Sequence, residues 1–216
     1  LDIALVPGPS LRNFFAGPNQ AALQHLVLWA GNERRSPVPT YLWGASGSGK
    51  THLLRAVQAQ LRNSGAAVGW LDASIHEPGG FNEQWQVVIL DDVHLYGAVQ
   101  QQAAFNWFVN ATAPGVGTQR WVLAAGDVPP ADLSLREDLR TRLGWGHVFQ
   151  LKTMDESQRR AVLRHQAESR GIYIKDEVMD YILKRFSRDL GSLMGLLDQL
   201  DQFALREQRA ITIPMI

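Results

Sequence analysis

The residues with the clearest chemical signature lie at positions 44–51, which read Gly-Ala-Ser-Gly-Ser-Gly-Lys-Thr and match the P-loop pattern in full. Glycines in this pattern let backbone N–H groups point at phosphates, the lysine neutralises the outer phosphates, and the threonine hydroxyl binds Mg²⁺. The competing interpretation is a chance glycine-rich turn between a strand and a helix. We expect ADP or ATP to bind here, because the phosphates gripped by the loop are common to both. The expected nucleotide-binding residues are Gly44, Ser46, Gly47, Ser48, Gly49, Lys50, Thr51 and the adjacent His52.

Two adjacent carboxylates, Asp91 and Asp92, follow the apolar run at residues 87–90. Side chains at the carboxyl end of a central parallel strand face the crevice where open α/β sheets bind ligands. We therefore expect Asp91 to hold Mg²⁺ together with Thr51, and Asp92 to orient or activate an attacking water. The alternative for Asp92 is that it only caps the next helix.

A third polar residue, Asp127, follows the apolar run at residues 121–125. At the tip of a strand beside Asp91, its side chain would reach the terminal phosphate or the water. An equally simple interpretation is that Asp127 begins the turn before Pro129 and Pro130. His94, close to the paired carboxylates, is interpreted as a packing residue, because such histidines are more often structural than ligands.

The elements that must position these residues alternate between apolar runs and amphipathic helices. Such alternation predicts an α/β core with a parallel sheet and helices on both faces. The run at 87–90 is apolar on both sides, as expected for a central strand. We predict strands at residues 41–43, 67–72, 87–90 and 121–125, with helices within 11–31 and at 52–63 and 100–111.

After about residue 150 the pattern is purely helical. Asp155 and Gln158 have the spacing of a capping box, and Gly171 is expected to end the helix that they open. Two further helices are predicted at residues 176–186 and 190–204. The predicted domains are an α/β nucleotide-binding core at 1–150 and a small three-helix subdomain at 151–216.

The composition excludes several classes of protein. The 216 residues are 45% hydrophobic and contain no cysteine, which is typical of a globular chain without disulfides or zinc–thiolate sites. Lysine plus arginine and aspartate plus glutamate are both 21, so no net charge attracts the chain to nucleic acid. No apolar run approaches the ~18 residues of a membrane span, and no signal peptide is visible. We expect a cytoplasmic protein that does not contact membranes.

The order of these motifs resembles the AAA+ module of the DnaA-like family of replication proteins. After Asp127, residues 139–146 read Leu-Arg-Thr-Arg-Leu-Gly-Trp-Gly, and residues 187–191 in the helical region read Ser-Arg-Asp-Leu-Gly. Residues 13–19 resemble the segment that such proteins use against adenine. The run at 142–146 and the closing segments 197–201 and 212–214 resemble the Hda branch of the family in particular. The resemblance covers nearly the whole chain.

The resemblance implies roles for two arginines. Arg142 resembles the arginine finger, which points across an interface into a neighbour's nucleotide. Arg188 resembles the sensor arginine of the helical lid, which touches the nucleotide held between the core and the lid of its own chain. From the residues alone, Arg142 could equally belong to a solvated basic edge with Arg136 and Arg140, and Arg188 to a surface network on a helix.

The Hda-type resemblance also implies a function. The protein would promote hydrolysis of ATP bound to DnaA and so restrain the initiation of chromosomal replication. Its own nucleotide would act as a conformational switch, with weak intrinsic ATPase activity at most. Two alternatives remain open. One is a self-contained AAA+ ATPase or helicase loader that uses Asp92 catalytically, and the other is a nucleotide-gated protein adaptor without an arginine finger.

The partners implied by the resemblance are the ATP form of DnaA and the sliding clamp of DNA polymerase III. Clamp binding uses an N-terminal peptide, to which only residues 1–5 can belong here, and its usual glutamine is absent from them. A homodimer is a further option. The sequence ends at Ile216 without the helix-turn-helix domain of DnaA, so direct sequence-specific DNA binding is not expected.

Overall fold

The computed structural model describes residues 8–31, 35–112, 119–185 and 193–200. These residues form two compact units, Gly8–Lys152 and the described residues from Thr153 onward. Arg188, the N-terminal peptide at 1–5 and the closing segment at 212–214 lie outside the described residues. No helix in the described part of the chain is both long enough and apolar enough to cross a membrane.

A five-stranded parallel sheet forms the centre of the first unit, which confirms the predicted α/β fold class. The strand order is β2-β3-β4-β1-β5, and every neighbouring pair is parallel. The strands are β1 (Thr40–Trp43), β2 (Val68–Leu71), β3 (Val87–Leu90), β4 (Trp121–Gly126) and β5 (His147–Gln150). Strand β5 has no counterpart in the prediction, because it is an edge strand whose side chains are largely exposed and form no apolar run.

The helices pack on both faces of the sheet, because successive side chains of each strand point to opposite faces and both faces are apolar. Val87 and Ile89 of β3 face one apolar cluster, which includes Leu26 and Leu53. Val88 and Leu90 face the other cluster, which includes Phe108 and Leu139. The first unit contains α1 (Gln20–Gly31), α2 (Lys50–Asn63), α3 (Ala98–Thr112) and α4 (Glu137–Gly144), with short 3₁₀ turns at Gly17–Asn19, Val93–Leu95 and Pro130–Asp132.

The second unit contains helices α5 (Glu156–Ser169) and α6 (Asp176–Arg185), and residues 193–200 are also helical. The predicted capping box is confirmed: the Gln158 N–H donates to the Asp155 carboxylate at 2.8 Å, and the Asp155 N–H donates to the Gln158 side chain at 3.0 Å. Gly171 follows α5 with φ of 72°, a conformation that favours glycine and ends the helix.

Candidate functional site

The P-loop joins the end of β1 to the start of α2 at the carboxyl edge of the sheet. Gly47 and Gly49 have φ of 77° and 93°, so a side chain at either position would be strained. At Gly44, an added Cβ would collide with the carbonyl oxygen of Leu151. Gly49 is also the N-cap of α2 and supplies no capping side chain. The loop therefore presents the bare amino terminus of a helix, which favours an anion.

Lys50 is the buried cation of the loop, with 6% of its side chain exposed. Its ammonium donates to the carbonyl oxygens of Gly44 and Ala45 at 2.7 and 3.2 Å. It also pairs with the Asp127 carboxylate at 3.2 Å. The structure thus brings Asp127, at the tip of β4, directly to the P-loop lysine. The loop carbonyls and the Asp127 carboxylate hold the ammonium where a phosphate would compete for it.

Ser48 supplies the observation that tests the fit of a phosphate group. Its hydroxyl is buried and has no hydrogen-bond partner among the described residues. Buried polar atoms are nearly always hydrogen-bonded, so an orphaned hydroxyl within a P-loop fits a phosphate oxygen as its missing partner. With the ammonium of Lys50 and the uncapped amino terminus of α2, the residues present fit a polyphosphate.

Asp91 lies at the end of β3 with only 2% of its surface exposed. Burial raises the pKa of its carboxyl to about 6, a hydrogen bond from the Thr51 hydroxyl opposes this rise, and the neighbouring Asp92 carboxylate adds to it. A cation beside this carboxylate would relieve its desolvation. The paired oxygens of Asp91 and Thr51 are hard ligands of the kind that Mg²⁺ accepts alongside a phosphate.

Asp92 has a strained backbone, with φ of 50° in the left-handed region. Among the described residues, it alone is a non-glycine residue with positive φ. It precedes the 3₁₀ turn Val93–Leu95, yet its side chain makes no capping hydrogen bond. The structure therefore does not support the interpretation of Asp92 as a mere cap. Strain of this kind persists where the surrounding structure fixes it, often at functional sites.

His94 joins the site through Asp127. Its Nε2 lies 3.0 Å from the second carboxylate oxygen of Asp127, and Asp92, His94 and Asp127 each offer an oxygen or nitrogen within 4.8 Å of the others. Interpreting His94 as a packing residue missed this contact, which joins residues 33 positions apart and has no local signal in the sequence. Because the ammonium of Lys50 already pairs with Asp127, we describe the group as a charge network rather than a metal centre.

His52 follows Thr51 in the first turn of α2 and contacts the N-terminal segment. Its Nε2 lies 3.1 Å from the Asn13 side-chain oxygen and 3.3 Å from the Ser10 carbonyl. The Phe14 ring lies 5.7 Å from the imidazole and so close to Gly49 that an added Cβ there would be 2.6 Å from it. Residues 10–14 therefore cover the start of α2, beside the expected nucleotide.

The arginines of α4 differ in their contacts. Arg136 pairs with Asp138 at 2.7 Å. The guanidinium of Arg142 lies over the rings of Phe105 and Phe108, at 5.5 and 6.0 Å, and pairs with no carboxylate among the described residues. Arg136 also lies over the Phe105 ring, at 4.5 Å, and Arg136, Arg140 and Arg142 border one groove. The three arginines therefore share one surface, on which Arg142 differs from Arg136 in having no carboxylate partner among the described residues.

Arg142 also lies away from the P-loop of its own chain. Helix α4 ends beside the start of β1, where Gly146 packs against the Pro39 carbonyl and the His147 N–H donates to the same oxygen at 2.9 Å. The P-loop begins at the other end of β1. A four-residue strand spans about 13 Å, so the structure does not bring Arg142 together with Lys50.

Both units of the chain are similar to known proteins. Residues 155–216 match the family model described as Hda, lid domain. An uncharacterized protein of Haemophilus influenzae is 32% identical over 227 aligned positions, which cover 100% of this chain and 95% of that protein. Domain III of DnaA from Thermotoga maritima has a TM-score of 0.70 at 22% identity, covering 97% of this chain and 94% of that one. AMPPCP-bound DnaA from Aquifex aeolicus also has a TM-score of 0.70 at 22% identity, covering 95% and 69%.

A parallel α/β core with a P-loop, paired carboxylates after β3 and a polar residue at the tip of β4 defines a P-loop module of the AAA+ class. The helical second unit carries the match to the lid. Residues 155–216 belong to the family of Hda lid domains, and the chain has the fold of domain III of DnaA.

Proposed function

We propose that this protein is an Hda-like AAA+ regulator that presents Arg142 to ATP held by DnaA, promotes hydrolysis of that ATP, and so restrains the initiation of chromosomal replication. The observation that carries the proposal is the placement of Arg142. Its guanidinium pairs with no carboxylate among the described residues. The helix that carries it ends beside the start of β1, whereas the P-loop follows the end of that strand. A cation so placed is suited to the phosphates of a neighbouring molecule.

The physical effect of such an arginine is known in outline. A guanidinium stabilises the charge that develops on a transferring phosphoryl group, and when supplied in trans it accelerates hydrolysis by about 10³–10⁵. The rings of Phe105 and Phe108 support the guanidinium of Arg142. Less side-chain freedom is therefore lost when the finger enters a partner's site.

The P-loop gives the protein a nucleotide of its own in this proposal. ADP or ATP binds through residues 44–52, with Lys50 and the orphaned Ser48 hydroxyl at the phosphates. Bound Mg²⁺ would neutralise phosphate charge, and Thr51 and Asp91 are its protein ligands. Asp127 faces the phosphates from the tip of β4. For Arg188, which lies outside the described residues, we propose the role that the resemblance implies, contact with the nucleotide of its own chain. AMPPCP binding by the Aquifex aeolicus relative supports this assignment.

The test is hydrolysis of ATP by DnaA in the presence of the loaded sliding clamp. Wild-type protein should accelerate it, and Arg142→Ala should lose at least a hundredfold of that acceleration. Arg62→Ala, which removes an exposed arginine from the end of α2, serves as the control and should act like the wild type. If wild type and Arg142→Ala both accelerate the reaction, or if neither does, the mechanism is wrong.

A self-contained ATPase is the second candidate. It is favoured by Asp92, which has a strained backbone, makes no capping hydrogen bond and lies beside the Asp91–Thr51 pair. Robust ATP turnover by the isolated protein, lost in Asp92→Asn, would support this candidate. Acceleration that does not depend on the clamp would remove the clamp from the proposed partners. Sedimentation of the protein alone tests the proposed homodimer.

A further inference from the structure

Trp145 is a large apolar side chain left in solvent at the end of α4. Its side chain is 65% exposed, more than any other tryptophan among the described residues. It borders an open groove of about 1200 Å³, whose walls include Pro130, Thr141 and Arg142. An exposed tryptophan beside a concave surface is an arrangement that protein interfaces use.

The backbone around Trp145 fixes this exposure. Both neighbours are glycines pressed against the body of the unit: an added Cβ at Gly144 would lie 3.2 Å from Pro130, and one at Gly146 would collide with the Pro39 carbonyl. Helix α4 is held from below by Leu139 and Leu143, which are buried in the core. The indole is therefore held outward before any partner arrives, which reduces the entropy lost on binding.

The groove combines the indole with unpaired positive charge. Arg142 lies three residues before Trp145, so the two side chains share one side of the end of the helix. Neither Arg140 nor Arg142 pairs with a carboxylate among the described residues, and both line the groove. Two carboxylates also line it: Asp138, which is engaged by Arg136, and Glu137. Three arginines against two carboxylates leave the groove with a net positive charge. The surface therefore suits a partner that offers an anion next to an apolar patch.

We propose that Trp145 is the hydrophobic anchor of a docking surface, and that its occupant is the ATP-loaded AAA+ module of DnaA. The assignment rests on the proposed function, in which the phosphates bound by the partner are the anion that complements the positive charge of the groove. Arg142 then acts on the phosphates, while Trp145 holds the two modules together. Binding and acceleration of hydrolysis are thereby assigned to two residues three positions apart.

This division predicts different kinetic effects for the two residues. Removal of a buried interface tryptophan typically weakens a complex at least about 30-fold. Trp145→Ala should therefore raise the protein concentration needed for half-maximal stimulation of DnaA by at least that factor, with the maximal rate unchanged at saturation. Arg142→Ala should lose the maximal rate and still form the complex. Trp145→Phe, which keeps an aromatic anchor, should restore most of the affinity.

The experiment titrates the full-length protein against ATP-loaded DnaA and measures complex formation by biolayer interferometry and ATP hydrolysis in parallel. Tyr173→Ala removes an aromatic residue of the second unit that is even more exposed than Trp145, and it should leave both readouts at wild-type values. Thermal melting of each variant shows whether it is folded. A folded Trp145→Ala variant that binds within twofold of the wild type, or loses no more affinity than Tyr173→Ala, would overturn the docking surface.

The same data separate this inference from the proposed function. If Trp145→Ala weakens the complex while Arg142→Ala leaves hydrolysis unchanged, the docking surface stands and the arginine finger does not. If wild-type protein does not bind DnaA but associates with itself through Trp145, the occupant is a second copy of this chain and the proposed partner is wrong.

Discussion

At the scale of single residues, the site at the carboxyl edge of the sheet combines two buried charged side chains, Lys50 and Asp91, with more exposed polar partners. The Lys50 ammonium is bound by two loop carbonyls and by Asp127, which in turn contacts His94. Asp91 shares its pocket with Thr51 and with the like charge of Asp92. Each group has a local partner, yet each is also placed to exchange that partner for a phosphate or a cation.

Lys50→Ala should remove nucleotide binding, because the Lys50 ammonium is the buried cation that the loop carbonyls and Asp127 hold where a phosphate would bind. Calorimetric titration with ADP and with ATP should show no heat of binding for this variant. Lys152→Ala changes an exposed lysine of the same unit and should keep wild-type affinity. Binding retained by Lys50→Ala would refute the assignment of the P-loop.

Asp91→Asn should stabilise the nucleotide-free protein at neutral pH. A carboxyl whose pKa is raised on folding, here from 3.8 to about 6, binds more protons in the folded state between those values. Its contribution to stability therefore falls as pH rises from about 4 to 6 and stays low above that window. The change in pKa corresponds to at most about 3 kcal/mol.

Urea unfolding of wild type and Asp91→Asn at several pH values measures this effect. The stability advantage of the variant should be largest at pH 7 and should shrink toward zero near pH 4. Asp132→Asn, which changes an exposed carboxylate, serves as the comparison and should show no such advantage. An advantage that does not change with pH would contradict the burial of a charged Asp91.

At the scale of secondary-structure elements, the end of the first unit is fastened to its beginning by Asn19. This side chain is buried, with 4% exposed. Its amide donates to the Lys152 carbonyl at 2.9 Å, and its oxygen accepts from the Lys152 N–H at 2.8 Å. Asn19 thus replaces a strand partner for the chain just beyond β5.

Asn19→Ala should lower the free energy of unfolding by about 2 kcal/mol, because two part-buried hydrogen bonds to the backbone of Lys152 are lost. Chemical denaturation measures this loss. Asn106→Ala, on the exposed face of α3, should cost far less. Equal losses of unfolding free energy in the two variants would show that the hydrogen bonds of Asn19 do not stabilise the fold more than an exposed side chain does.

The elements found from the sequence are those with local signals. Strands β1 to β4 are apolar runs, and the capping box of α5 is a pair of polar residues three positions apart. Helix α4 escaped prediction because only Leu139 and Leu143 among its eight residues are buried, which is too few to establish a helical period. Strand β5 escaped because an edge strand needs no apolar run.

Contacts between distant parts of the chain carry no local signal. The proximity of Asp127 to Lys50 was one of two interpretations of a strand-tip residue, and only the parallel register of β1 and β4 brings them together. His94 meets Asp127 across 33 positions of sequence, and its imidazole has no pattern that announces the contact. The exposure of Trp145 depends on the contacts of its glycine neighbours with Pro39 and Pro130, which lie 106 and 15 positions before it.

At the scale of the whole molecule, charge is balanced both overall and locally. The 21 basic and 21 acidic residues cancel, and three described arginines of the second unit are paired with its own carboxylates. These pairs are Arg160 with Asp176 and Asp180, Arg164 with Asp176, and Arg170 with Asp198. From residue 153 onward the described residues include seven lysines and arginines and seven aspartates and glutamates, so the described lid carries no net positive charge to attract the backbone of a duplex.

The protein alone should therefore bind duplex DNA weakly. Non-specific binding by DNA-binding proteins has dissociation constants of about 10⁻⁴–10⁻⁶ M, and it depends on the number of phosphates neutralised. We expect fluorescence anisotropy with a labelled duplex at about 150 mM salt to show no saturation at 10 μM protein. Micromolar affinity with a steep salt dependence would reveal a basic surface and would favour a protein that contacts DNA directly.

Two glycines of the P-loop are present for different reasons. Gly44 is fixed by the fold, because the Leu151 carbonyl occupies the space of its missing side chain. At Gly47 a side chain would meet no other atom, and glycine is favoured there only by the positive φ of the loop. In a descendant that had lost its nucleotide, the first glycine would still be required and the second would be free to drift. Substitutions would therefore accumulate first in the middle of the motif, while Gly44 would be retained because of its contact with Leu151.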